Sequence, residues 1–358
     1  MERNEPNRMR DQSGGQETAE RGGDRALADA RETVDRLCQR LRAVIVGRDE
    51  VIDLVVIALL ADGHVLLEDY PGSGKTTLAR SLGEGIEGGA AIAEGQEPVA
   101  AFRRIQFTPD LLPSDVTGTS VFEVETGAFC FRKGPVFAHV VLADEINRTS
   151  PKVQAAMLEA MAEKQVTVDN RTWPLDELFF VIATQNPMDV AGTYPLPAPQ
   201  LDRFLFKIRM HHIDRQSELG VLQHYPTPSL ERGRGIAGVT RDQVLAARQA
   251  VRERIELHER IREALVDLAR ALRDDRRVLQ GASTRSLVLM MPALQARALL
   301  RGRDYVSPED VEALAPHVFR HRIECAPGVR DADEVVAECL APEIEKLARA
   351  SLSGRSSA

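Results

Sequence analysis

The stretch Val65-Leu66-Leu67-Glu68-Asp69-Tyr70-Pro71-Gly72-Ser73-Gly74-Lys75-Thr76-Thr77 limits the possible folds of this chain more than any other. Val65, Leu66 and Leu67 predict a short strand buried in a parallel sheet. A tight turn with Gly72 and Gly74 follows, with Pro71 and Ser73 in it, and the stretch from Thr76-Thr77 to Leu82 reads as a helix. Glycines let backbone N–H groups curl around an anion without interference from Cβ, and a helix N-terminus adds positive potential. In such a loop Lys75 reaches the β- and γ-phosphates of a nucleotide, and the Thr76 hydroxyl ligates Mg²⁺. Asp69 stands where the usual pattern has its first glycine. A chance glycine-rich turn would explain Gly72 and Gly74, but not Lys75 and Thr76 at this spacing behind a strand.

The 358 residues are enough for about two domains with a sizeable core. Aromatic residues make up only 4%, too few for a base-stacking platform, and the formal charge of −8 argues against a nucleic-acid binder. Cys38, Cys130, Cys325 and Cys339 form no C-x-x-C pair, so neither a disulfide framework nor a zinc site is expected. With no apolar run of membrane length and no signal-peptide core, the expected setting is cytoplasmic.

Residues 1–25 are polar and read as a disordered arm. An amphipathic helix starts at Ala26, with Val34, Leu37, Cys38 and Leu41 on one face. Buried strands are predicted at 65–67, 103–108, 139–145, 179–184 and 204–208. They are separated by helices, which argues for a five-stranded parallel α/β sheet. Two hairpins are expected at 121–131 and 165–173, the second centred on Asp169-Asn170. Residues 83–101, rich in Gly, Ala and Glu, read as a surface insertion. Beyond His212 the composition shifts. The expected division is an α/β core over 26–212, a linker over 213–239, a wholly helical domain over 240–350, and a disordered tail over 351–358.

Hydrolysis of a nucleoside triphosphate needs Mg²⁺ held in place and a water oriented in line with the γ-phosphate. Asp144-Glu145, at the end of an apolar strand, supplies both: Asp144 would hold Mg²⁺ through its water shell and Glu145 would polarise the water. Asn186, after the next strand, either helps orient that water or simply starts an Asn-Pro turn. Arg203 is either a surface charge or a group reaching into a neighbouring subunit's site. Arg285 lies in the first turn of a helix, where the dipole disfavours a cation, as an anion-binding arginine would.

Together these residues resemble the MoxR family of AAA+ ATPases. The resemblance is carried by Asp144-Glu145-Ile146-Asn147-Arg148, Ala183-Thr184-Gln185-Asn186-Pro187, Gly192-Thr193-Tyr194-Pro195-Leu196-Pro197, Gln200-Leu201-Asp202-Arg203-Phe204 and Gly281-Ala282-Ser283-Thr284-Arg285. The segment from Gln106 to Gly118 adds to it, and the resemblance spans about 44–318. It implies a P-loop AAA+ core followed by a small all-α lid. Lys75 and Thr76 would be Walker A residues, Asp144 and Glu145 Walker B, Asn186 sensor 1, Arg203 an arginine finger and Arg285 the sensor 2 arginine. Val46 and Gly47 would pack the adenine. The resemblance further implies ATP and Mg²⁺, a homo-oligomeric and usually hexameric ring, and hairpins facing the ring's upper surface or pore. The partner it implies is a client protein, commonly one with a von Willebrand factor A domain that carries its own metal site.

The leading expectation is thus a chaperone-like ATPase that remodels or matures partner proteins. A motor on nucleic acid and an ATP-gated scaffold with little turnover are the alternatives. Net charge weighs against the motor, and the presence of Glu145 and Arg203 weighs against the scaffold.

Overall fold

The computed structural model describes residues 13–68, 72–88, 99–186, 192–224, 229–233, 235–329 and 331–355. Its centre is the expected five-stranded sheet: β1 (Val65–Glu68), β2 (Ala100–Gln106), β3 (Ala138–Asp144), β4 (Phe180–Gln185) and β5 (Phe206–Arg209). The spatial order is β5-β1-β4-β3-β2, and every pairing is parallel. Successive side chains alternate between two cores, as the period of two requires. Val65, Leu67, Val140, Leu142, Phe180 and Ile182 face one. Leu66, Val141, Ala143, Phe179, Val181 and Ala183 face the other. Burial on both faces is why these strands read as continuous apolar runs.

The chain leaves β1, crosses to the far edge at β2 and builds inward through β3 to place β4 beside β1. A crevice therefore opens beyond the carboxyl ends of β1, β4 and β3, where such sheets bind ligands. Both predicted hairpins form. Strands Gly118–Glu123 and Ala128–Lys133 pair antiparallel, as do Gln165–Val168 and Arg171–Pro174. Asp169 and Asn170 turn the second hairpin at φ 51° and 60°, the left-handed pair that a two-residue turn demands.

The helical part differs from expectation in four places. The first helix, α1, runs Ser13–Val44, so it begins well before Ala26, and only 1–12 of the expected arm lie outside the described residues. It packs along α5 (Arg241–Arg254), with α2 (Asp49–Leu60), α3 (Lys75–Glu84) and α4 (Pro151–Glu163) preceding that helix in the chain. The expected linker contains helices Arg215–Gln223 and Ser229–Gly233, the first capped by Asp214, whose carboxylate accepts from the Ser217 N–H at 3.0 Å. Its end, Val239–Thr240, pairs with Ile86–Glu87, which ties down one edge of the 83–101 segment. Residues 89–98 of that segment lie outside the described residues.

The domain after α5 consists of α6 (Glu259–Asp274), α7 (Thr284–Leu300), α8 (Pro308–Phe319) and α9 (Ala332–Arg355). It is not wholly helical, because Val278–Gln280 pairs with Glu324–Cys325. Helix α9 continues to Arg355, through part of the expected tail, and 356–358 lie outside the described residues. Among the described residues no helix is long and apolar enough to cross a membrane.

Asp310 anchors this domain. Its side chain is fully buried, caps α8 by accepting from the Ser307 N–H at 2.8 Å, and pairs with Arg303 at 2.7 Å and Arg297 at 3.3 Å. Removing one partner of a buried ion pair strands the others in a low-dielectric site. Asp310→Ala is therefore expected to destabilise the protein by about 3–5 kcal/mol, read as a lowered denaturant midpoint. An unchanged midpoint would contradict it.

Candidate functional site

Residues 72–74 form a turn that leads directly into α3. Gly72 and Gly74 sit at φ 89° and 91°, and a Cβ at either would project into open space rather than into protein. The loop is thus bare backbone facing outward, and α3 begins at Lys75, immediately after it. The Ser73 hydroxyl is shielded and takes no hydrogen-bond partner among the described residues. These features suit an anion with several oxygens.

Two adjoining clefts meet at this loop. The first, of about 390 Å³, is lined by Gly72, Ser73, Gly74, Lys75, Thr76 and Thr77 on one side. On the other are Asp144, Glu145, Thr184, Gln185 and Asn186. The second, of about 620 Å³, shares Gly72, Ser73, Gly74 and Thr77 and extends over Val46, His212, Ile213, Val221 and Leu222. One end is polar and the other mostly apolar, which fits a phosphate chain continuing into a planar base. Gly47 shapes the apolar end through its backbone. It sits at φ 69°, and a Cβ there would meet the Ser217 side chain at 2.5 Å. Pro71 lies outside the described residues.

The two acids are held from the neighbouring strands. Asp144 Oδ1 accepts from the Thr184 hydroxyl at 2.7 Å, and Oδ2 accepts from Arg104 Nη2 at 2.6 Å and Nε at 3.0 Å. The same Thr184 hydroxyl accepts from the Glu145 N–H at 2.8 Å. Glu145 adopts φ 58°, unusual for a residue with Cβ, and this turns its N–H toward Thr184. Gln106 Nε2 donates to Glu145 Oε2 at 2.9 Å, and Arg148 stands 3.6 Å from that oxygen. A third layer lies behind. Gln185 donates to Glu68 at 2.9 Å and Lys207 pairs with it at 2.9 Å. Burial pushes the Glu68 carboxyl up, but Lys207, Gln185 and Arg209 outweigh it and hold the group below the usual carboxylate range.

Arg104 stands outside the quoted motifs, and Gln106 and Thr184 lie within them with no role of their own assigned there. Arg104 and Gln106 share one face of β2, and Gln106 lies in register with Asp144. That relation appears only once β2 and β3 are known to be neighbours.

Arg203 and Arg285 line neither cleft. Arg203 Nη1 donates to the Leu158 carbonyl in α4. Arg285, at the second position of α7, is exposed, and Arg322, which bonds Asp202, is held below the usual arginine range chiefly by burial, with the Arg285 charge adding a smaller push in the same direction. The two arginines thus belong to one region, separate from the chain's own clefts.

A family model described as "ATPase family associated with various cellular activities (AAA)" matches residues 64–206, and one described as "AAA lid domain" matches 270–339. A third, "MoxR domain in the MoxR-vWA-beta-propeller ternary systems", matches 32–93. The chain is similar to the protein named Chaperone MoxR1 of Mycobacterium tuberculosis, 37% identical over 84% of this chain and 78% of that one. It also matches Protein MoxR of Methylorubrum extorquens, at 32% identity over 86% of this chain and 92% of that one. This chain belongs to the MoxR family of AAA+ ATPases. A further relative, the uncharacterized protein YeaC of Bacillus subtilis, is 42% identical over 88% of this chain and 94% of its own. A crystal structure of a candidate ATPase from Cytophaga hutchinsonii superposes with a TM-score of 0.79 at 34% identity, covering 90% of this chain and 97% of that one.

Within this MoxR-family fold, the residues suit Mg²⁺ held indirectly. Among the described residues no group of three His, Cys, Asp or Glu could cage a metal. Thr76 and Asp144 face the same cleft, and Asp144 already spends both oxygens on Thr184 and Arg104. Such a set matches the few protein ligands, substrate oxygens and retained waters that Mg²⁺ prefers.

Proposed function

We propose that this protein hydrolyses ATP with Mg²⁺ in a ring of identical subunits, six as is usual for AAA+ proteins, and uses the cycle to remodel or mature a partner protein bearing a von Willebrand factor A domain. The observation that carries this reading is the polar cleft, where the loop of Gly72, Gly74 and Lys75 faces Asp144, Glu145 and Asn186.

The backbone of 72–74 and Lys75 bind the phosphates, and Val46 with Val221 and Leu222 holds the base at the apolar end. Thr76 and Asp144 would hold Mg²⁺, which when bound neutralises charge on the phosphate oxygens. Glu145 orients and polarises the attacking water, and Asn186 positions it from the end of β4. Arg203, as arginine finger, and Arg285, as sensor 2, would complete the site of a neighbouring subunit, which accounts for their distance from their own clefts.

The client end is supported by exposed apolar groups. The tip of hairpin 118–133 carries Phe122, Val124 and Phe129 at 50%, 86% and 70% exposure, with the two rings packed edge to face at 5.2 Å. A von Willebrand factor A partner is supported by the ternary systems in which the matching MoxR domain is described. Residues that catalyse, bind and contact a client in this way need a cytoplasmic setting, where ATP is available.

The test is to trap the Glu145→Gln variant with ATP and recover bound material from native lysate with and without nuclease. A nuclease-resistant protein containing a von Willebrand factor A domain is expected. Recovery of nuclease-sensitive material alone would overturn the chaperone reading in favour of a nucleic-acid motor.

A further inference from the structure

Arg322 ties the sheet to the helical domain at their junction. It follows α8 and its guanidinium is 1% exposed. All five of its N–H donors are engaged. Nε donates to Asp202 Oδ1 at 2.7 Å, and Nη2 donates to the main-chain oxygens of Asp202 at 3.3 Å and Phe204 at 2.6 Å. Nη1 donates to the Leu205 oxygen at 3.1 Å and to the Val318 oxygen in the last turn of α8. The buried ring of His321 adds a bond from Nε2 to the same Phe204 oxygen at 3.0 Å. Burial drives this imidazole well below its ordinary pKa, so it is neutral and Nε2 carries the proton toward the carbonyl.

The partners of Arg322 bracket a single residue. Asp202 and Phe204 are the neighbours of Arg203 on either side, and both are fixed by one guanidinium that is itself fixed to α8. The backbone that carries Arg203 is thus set by the helical domain, although the arginine follows the short helix Ala198–Leu201 of the α/β core. Arg285, from α7 of the same helical domain, lies close enough to act electrostatically on Arg322.

We infer that Arg322 is a positioning residue for Arg203, a clamp through which the helical domain sets where that arginine is presented to a neighbouring subunit. The inference rests on the reading that Arg203 acts in trans. Its physical basis is the sensitivity of transition-state stabilisation to placement. A displacement of about 1 Å can cost about 10²-fold in rate without removing any catalytic group. Lysine cannot replace the clamp, because it has three donors on a point charge and cannot span Asp202, Phe204 and Leu205 together.

The test uses mixtures of full-length variants. Arg322→Lys alone is expected to lower kcat on the order of 10²-fold while ATP affinity stays within about twofold. A Glu145→Gln subunit cannot turn over but still presents a correctly placed Arg203. Mixing it with Arg322→Lys should restore turnover, because the intact Glu145 of one subunit is then completed by the well-placed arginine of the other. Arg203→Ala mixed with Glu145→Gln is the control. Recovery in the control but not with Arg322→Lys would overturn the positioning role and leave Arg322 as a structural staple of its own subunit. Recovery in neither mixture would remove the trans reading, and the positioning role with it. Asp202→Asn keeps the main-chain partners and removes only the carboxylate charge, so the same mixture is read with it if Arg322→Lys does not fold. Restoration then supports the clamp and its absence overturns it.

Discussion

Glu145→Gln should stop ATP turnover while leaving ATP binding intact, whereas Lys75→Ala should abolish ATP binding and turnover with it. The geometry separates the two roles. Lys75 opens α3 at the lip of the loop, whereas Glu145 stands across the cleft at the end of β3, held by Gln106 and by the Thr184 hydroxyl. Glutamine is isosteric and can still accept from Gln106, so the fold and the cleft should survive. What is lost is the negative charge that polarises the water. Loss of a positioned general base typically costs about 10²–10⁴-fold in rate, and a loss of that size in kcat is expected here. Isothermal titration of ATP into both variants, with turnover measured in parallel, checks the pair. Tight ATP binding by Lys75→Ala would sink the assignment of the loop. Wild-type turnover by Glu145→Gln would move the water-activating role elsewhere.

How much of this could be read in advance depends on how local the information is. The strand–turn–helix over 65–84 was legible because strand, glycines and helix start are nearly contiguous, and each residue type reports its own backbone requirement. The hairpin turn at Asp169-Asn170 was legible for the same reason, both residues tolerating the left-handed conformation they adopt. The support of the acids was not. Arg104 and Gln106 meet Asp144 and Glu145 only through the pairing of β2 with β3, about which periodicity is silent. Residues 13–25 read as disordered because they are polar. Yet they extend a helix already nucleated by the packed face of Ala30, Val34 and Leu37, and propagation is far easier than nucleation. Gly23 shows the tertiary part of that effect, since a Cβ there would meet the Arg254 side chain at 2.9 Å. Helix Arg215–Gln223 escaped notice because Val221 and Leu222 are 46% and 70% exposed and serve the mouth of a cleft rather than a core.

Arg203→Ala should be the other variant of large effect, lowering kcat by on the order of 10³-fold or more, as removal of an arginine finger does in nucleotide hydrolases. The expectation follows from where the side chain is not. Arg203 lines neither cleft of its own chain and is turned to the Leu158 carbonyl, while its backbone is clamped by Arg322. On the proposed reading, that arginine completes a site presented by another subunit. The guanidinium would then stabilise charge that develops on the transferring phosphoryl group, so kcat should fall while ATP affinity stays within about a factor of two. Arg203→Lys should restore little, because a point charge does not reproduce the planar fork. Wild-type specific activity should also rise with protein concentration as rings assemble, and that rise should vanish in Arg203→Ala. Sedimentation run beside the assay separates assembly from catalysis. If the variant assembles like wild type yet loses turnover, the arginine acts at the interface. If wild-type activity is independent of concentration while the protein is monomeric, each subunit's site is complete on its own and the role assigned to Arg203 fails.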